Sequence, residues 1–93
     1  MIYLVTYSNG RPPTAERSLR QARRACNSRY FTRGLDGNLL GYGSRAKMYA
    51  DRHEGCYADE VIRPIRDPVA FALDEDESRE WREAVRQIDA NSK

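Results

Sequence analysis

Hydrophobic and polar positions along the chain divide it into short segments of changing period. Ile2–Tyr7 alternates, with Ile2 and Leu4 on one face and Tyr3, Val5 and Tyr7 on the other. Both faces are apolar, which predicts a central strand. Ser8-Asn9-Gly10-Arg11-Pro12-Pro13 interrupts it as a loop. From Thr14, read as a helix cap, Ala15, Leu19, Ala22 and Cys26 recur at helical spacing to about Asn27. Arg29–Arg33 and Leu39–Tyr42 read as a hairpin around Asp36-Gly37-Asn38, residues that tolerate positive φ. Ser44 then caps a second helix that Gly55 ends, with Ala46, Tyr49, Ala50 and His53 as its buried stripe. Tyr57–Arg63 alternates with charged residues, which predicts an edge strand stopped by Pro64.

Pro64–Leu73 reads as a connector, in which Val69–Leu73 is either an edge strand or an irregular packing segment. Asp74-Glu75-Asp76-Glu77 places negative charge where a helix N-terminus favours it. The helix that follows runs to about Ala90 with Trp81, Ala84, Val85 and Ile88 on one face, and Glu75–Arg79 and Glu83–Arg86 as surface pairs. The expected architecture is α+β, a ferredoxin-like β-α-β-β-α-β antiparallel sheet with an additional C-terminal helix. The 93 residues form one domain: a core over 1–63, a connector over 64–73 and a C-terminal helix over 74–91. The Trp81 helix covers the open sheet face, covers one edge, or joins a homodimer.

Size and composition narrow the functions. A chain this small buries ~60–65% of its unfolded surface, which leaves little room for an internal cofactor cavity. No apolar run approaches the ~18–20 residues of a membrane span, and the first residues read as a strand and not a signal peptide. Cys26 and Cys56 stand thirty positions apart and read as two reduced thiols, so the expected compartment is the cytoplasm, the host cytoplasm for a phage product.

Charge is segregated. Residues 1–50 carry nine basic and two acidic groups, a net +7, while residues 51–93 carry seven basic and twelve acidic groups, a net −5. Such asymmetry points to electrostatic partners. Arg17, Arg20 and Arg24 fall on one helical stripe with Arg23 beside it, a pattern suited to phosphates. Arg11, Arg29 and Arg33 are candidates to lie nearby. Tyr3, Tyr7, Tyr42 and Tyr57 are candidates for a base-stacking face. The acidic run Asp74, Glu75, Asp76 and Glu77 is a candidate imitation of a phosphate backbone, or simply helix-start electrostatics.

Catalytic chemistry is sparse. His53 is the one histidine, and Asp51 two positions away points elsewhere on a helix, a poor metal pair. Gly34-x-x-Gly37 and Gly41-x-Gly43 lack the lysine and hydroxyl of a phosphate loop. No catalytic residue, metal site or cofactor is expected, and the protein reads as non-enzymatic.

Three resemblances add expectations. Ile2-Tyr-Leu-Val-Thr-Tyr7 resembles the first-strand half of an RNA-recognition motif, whereas Leu39-Leu-Gly-Tyr-Gly43 departs from its second half. Ile2–Ser8 with Arg17–Cys26 resembles the opening of the Cas2 family of CRISPR adaptation proteins, small ferredoxin-like dimers that bind DNA. Ser8 stands where that family has its metal-binding acid, so the resemblance does not extend to metal-dependent cleavage. In size and architecture the chain is similar to small phage-encoded inhibitors of the anti-CRISPR type. That resemblance implies an interaction protein that binds and inhibits a nucleic-acid-handling protein or ribonucleoprotein complex through its charged faces, without a membrane. The alternative is a small DNA- or RNA-binding module built on the arginine helix and the sheet tyrosines.

Overall fold

The hydrophobic pattern condenses into a five-stranded, wholly antiparallel sheet with three helices in the computed structural model, which describes residues 1–34, 36–54, 58–68 and 71–91. In chain order the elements are β1 (Ile2–Tyr7), β2 (Thr14–Glu16), α1 (Leu19–Ala25), β3 (Tyr30–Arg33), β4 (Leu39–Tyr42), α2 (Arg45–Glu54), β5 (Glu60–Ile65) and α3 (Glu75–Asn91). The strands lie in the order β2-β1-β5-β4-β3. The α+β class is as the sequence predicts. The strand count and order depart from the ferredoxin-like pattern, because β2 adds a fifth strand beside β1 and β5 enters between β1 and β4.

That insertion corrects the reading of the last strand. β5 is interior, pairing with β1 from Ile2↔Ile65 to Tyr7↔Glu60 and with β4 from Leu39↔Ile62 to Gly41↔Glu60. Its charged residues suggested an edge, but each finds a partner. Arg63 meets Glu80 at 2.9 Å, and Glu60 accepts from the Asn27 amide and the Ser28 hydroxyl. Pro64 does not stop the strand. It lies opposite Tyr3, beyond the last β4 pair at Leu39↔Ile62, where β5 has a neighbour on one side only and a missing N–H is tolerated. The connector therefore begins after Ile65.

The first helix is also shorter than its periodicity suggests. Thr14–Glu16 is an edge strand opposite Val5–Tyr3, because Pro12 and Pro13 hold the chain extended as it returns along β1. Ser18, not Thr14, is the cap; its Oγ accepts from the Gln21 N–H at 3.1 Å. Local turn chemistry elsewhere follows the sequence. Gly37 takes φ +86°, Asp36 Oδ1 accepts from the Asn38 N–H at 3.1 Å, and the hairpin closes through Gly34 and Asn38. The Ser44 Oγ caps α2 by accepting from Lys47 N–H at 3.2 Å, and Asp74 caps α3 by accepting from Glu77 N–H at 2.8 Å.

Helices cover both faces of the sheet. On one face α1 packs Ala22, Leu19 and Cys26 against Val5, Tyr7 and Ile62. On the other, α3 sets Trp81, Ala84, Val85 and Ile88 against Ile2, Leu4, Ala15 and Ile65. The Trp81 stripe thus closes this chain's own core. Val5 and Ile62 are fully buried, each worth about 1.5–3 kcal/mol relative to exposure. By contrast α2 departs from expectation, since Ala46, Tyr49 and Ala50 are exposed and the His53 side chain lies outside the described residues. It is held instead by polar contacts: the Tyr42 hydroxyl donates to Asp51 Oδ2, and Lys47 pairs with Asp59. Cys56, Val69 and Ala70 also lie outside the described residues, so neither the Cys56 thiol nor the start of the Val69–Leu73 segment enters the description. No helix among the described residues is long and apolar enough to cross a membrane.

Candidate nucleic-acid interface

Arg20, Arg23 and Arg24 share one side of α1 at helical spacings of three and four, and all are exposed. Arg17 does not join them on the helix. It stands between β2 and the Ser18 cap, exposed. The stripe is extended from other elements instead. The Arg23 guanidinium lies 4.9 Å from the centroid of Phe31 on β3, and Arg45 of α2 lies 5.5 Å from that of Tyr30. Since Tyr30 and Phe31 point to opposite faces of β3, arginines flank this edge strand on both sides. Exposed Arg29 and Arg33 bound the strand, and Arg33 Nη1 donates to the Gly37 carbonyl at 2.9 Å.

At the far end of α1, Arg11 sits 4.5 Å above the Tyr7 ring, whose hydroxyl contacts Thr14 Oγ1 at 2.9 Å and the Ala25 carbonyl at 3.4 Å. Cation–π stacking orients these guanidinium groups without neutralising them. Among the described residues, no carboxylate lies within ion-pair distance of Arg11, Arg20, Arg23, Arg24, Arg29, Arg33 or Arg45.

The acidic run is engaged in the opposite way. Asp74 caps α3. Glu75 and Asp76 both face Arg79, at 3.9 and 3.8 Å, and Glu77 meets Arg66 at 3.5 Å. The carboxylates serve the start of their own helix and its link to the chain just after β5. The excess positive charge of the N-terminal half thus collects on α1 and β3, while the acids of the 74–77 run are locally matched.

The tyrosines do not form a common platform. Tyr3 and Tyr7 face α1, whereas Tyr42 points to the other face and is only 2% exposed. Tyr57 lies outside the described residues. Tyr7 and Tyr42 are core residues whose hydroxyls reach partners at the rim, Thr14 and Asp51.

The junction between α1 and β3 is set by a buried carboxylate. Glu60, 5% exposed, accepts from the Asn27 N–H at 3.2 Å through Oε1 and from the Ser28 hydroxyl through Oε2. Ser28 fits there because Gly41 faces it; a Cβ at Gly41 would stand 2.6 Å from Ser28 Oγ. This anchor fixes where Arg29 leaves the sheet. Nearby, burial and then the Glu60 charge push the Cys26 thiol up to about 11, so it stays protonated at neutral pH. Asp59, next in chain to Glu60, is held below the usual carboxylate range, first by the Lys47 ammonium hydrogen bond and also by the Gly43 N–H at 2.8 Å.

Arg45 and the Asp59–Glu60 pair are absent from the residues singled out by sequence. The signal for Glu60 was present, as a carboxylate in an otherwise apolar strand position. No group of three or more histidine, cysteine, aspartate or glutamate side chains suited to a metal occurs among the described residues. Comparison with known proteins finds no matching family model, no matching curated protein and no matching solved structure.

Proposed function

We propose that this protein is a non-enzymatic nucleic-acid-binding module that grips phosphates through the arginines of α1 and the β3 edge. The observation that carries the reading is the contrast in pairing. Arg20, Arg23, Arg24 and Arg29 are exposed with no carboxylate partner among the described residues, whereas Asp74, Glu75, Asp76 and Glu77 are all engaged within their own half. Unpaired guanidinium groups repel one another and lower stability unless an anion joins them, and a phosphate accepts a bidentate bond from each. Stacking of Arg23 on Phe31 and Arg45 on Tyr30 limits their freedom and reduces the entropy lost on contact.

A second reading uses the same face. As an inhibitor of the anti-CRISPR type, the chain would press these arginines onto an acidic surface of a nucleic-acid-handling complex. The exposed arginines favour it equally; the buried tyrosines favour it slightly, since stacking is not needed.

Fluorescence anisotropy with labelled single-stranded RNA, single-stranded DNA and duplex DNA, at low and physiological salt, separates the two. The nucleic-acid module predicts binding whose affinity falls steeply with salt. Absence of binding even at low salt removes the module and leaves the protein-docking inhibitor.

A further inference from the structure

The C-terminal end of β1, the end of β4 and the start of β5 enclose a polar cavity of about 210 Å3. Its walls bring together Asp59 and Glu60 with Ser8, Asn9, Asn27, Ser28 and Gly43. The volume is below the ~300–1,000 Å3 of pockets for whole drug-sized ligands, so it suits a single ring system. Arginines stand beside it in sequence on both sides: Arg11 follows Asn9 by two residues and Arg29 follows Ser28 directly.

We infer that this cavity takes a guanine base from single-stranded nucleic acid, with the flanking phosphates on Arg11 and Arg29. The inference rests on the phosphate-binding reading and adds to it a base-specific contact. The chemistry of the walls selects the base. Ionised carboxylates only accept, and Glu60 uses one lone pair on each oxygen, for the Asn27 N–H and the Ser28 hydroxyl, so each oxygen retains capacity. Asp59 likewise accepts from Lys47 and from Gly43.

Guanine presents two adjacent donors, N1–H and the N2 amino group, along its Watson–Crick edge, and carboxylates are its natural complement there. Uracil and thymine present one N–H between two carbonyl oxygens, which such walls repel. The guanine O6 needs a donor, and the side-chain amide of Asn9, a residue of the cavity wall, can supply one. Its Oδ1 accepts from the Arg11 N–H at 3.0 Å, which leaves its amide NH2 as the available donor. The sheet tyrosines do not contribute; this contact reads an edge and not a ring face.

The test uses the unmodified chain. Anisotropy at about 150 mM salt compares an oligouridine heptamer with the same heptamer carrying one central guanosine. In parallel, amide shifts of Ser8, Asn9 and Gly43 are followed on titration with GMP, UMP and N-acetylarginine methylamide. The expected result is at least about fivefold tighter binding of the guanosine heptamer and pocket amide shifts with GMP but not UMP. Equal, salt-dependent binding of both heptamers with unmoved pocket amides overturns the guanine site and leaves the phosphate-binding reading standing. No binding of either heptamer at any salt overturns both. Pocket shifts with the arginine derivative and none with GMP overturn the assignment in favour of a cationic peptide.

Discussion

The side-chain amide of Gln87 on α3 completes the free edge of β2, accepting from the Ala15 N–H and donating to the Pro13 carbonyl at 3.1 Å. One carbonyl and the N–H two residues on point the same way along an extended chain, so a single amide serves both as a neighbouring strand would. An edge strand with open groups is a template for pairing with other chains, and here the outward pair at Pro13 and Ala15 is occupied from within.

Removing that amide therefore has two readouts. Gln87→Ala is expected to lower stability by about 1–2 kcal/mol, measured as the urea midpoint, and to speed hydrogen exchange at Ala15. Gln87→Glu retains the acceptor for Ala15 but loses the donor to Pro13, and should fall between the two. An unchanged Ala15 exchange rate in Gln87→Ala would show the edge to be protected by something else.

The arginine face makes a quantitative prediction about salt. Replacing Arg20, Arg23 and Arg24 together by alanine should flatten the slope of log K against log salt by roughly 2–3, at ~0.7–0.9 per lost phosphate contact. Thermal stability should hold or rise, because none of the three has a carboxylate partner among the described residues. An unaltered slope would place the phosphates elsewhere.

Ser28 and Gly41 are coupled by contact. Gly41→Ala puts a Cβ 2.6 Å from Ser28 Oγ and 2.8 Å from its Cβ, so the Glu60 anchor must shift; the expected cost is about 1–3 kcal/mol. Ser28→Gly alone removes a hydrogen bond to a buried carboxylate, about 1.5–3 kcal/mol. The double variant should cost clearly less than the sum of the two, and additive denaturation free energies would contradict the contact.

Two titrations make stability depend on pH in opposite senses. The folded Asp59 carboxyl titrates below its ordinary value of 3.8, so its contribution is present above that value and is lost as pH falls through the lower folded pKa. Lys47→Ala should remove most of this acid-side dependence. The Cys26 thiol is raised from 9.0 to about 11, so between those values unfolding releases a proton and stability falls as pH rises. Cys26→Ala should flatten that alkaline limb, and alkylation of folded Cys26 at pH 8 should be slow beside that of the denatured chain.

What could be read from the chain beforehand was chiefly what neighbouring residues decide. Asp36-Gly37-Asn38, the Ser44 cap and the Trp81–Ile88 stripe specify their own turn, helix start and buried face within a few positions. Thr14–Glu16 reads as helix because Ala15 fits the 3.6 spacing of Leu19 and Ala22, while its strand partner Leu4 and the α3 side chain of Gln87 that accepts from its N–H lie 11 and 72 residues away. The place of β5 was hidden for the same reason. Glu60 looks like an edge residue until Asn27 and Ser28 are brought over it from 33 and 32 positions earlier. Of the candidate interface, Arg20, Arg23 and Arg24 were legible as a helical cluster. The stacking of Arg23 on Phe31 and of Arg45 on Tyr30 depends on how α1 and α2 dock, which no local pattern records.

The late entry of β5 also dictates an order of events as the chain emerges from the ribosome. Until residues 60–65 are synthesised, the N-terminal portion holds two detached hairpins, β1 with β2 and β3 with β4, that share no hydrogen-bonded border. The stretch Glu60–Ile65 is the keystone that joins them. The nascent polypeptide must therefore wait, with the apolar flanks of β1 and β4 unsheltered, for a segment that follows all four of the other strands and α2. Such long-range closure is slow to nucleate and open to aggregation meanwhile. A product terminated at Asp59 would be a pair of loose ribbons and no domain.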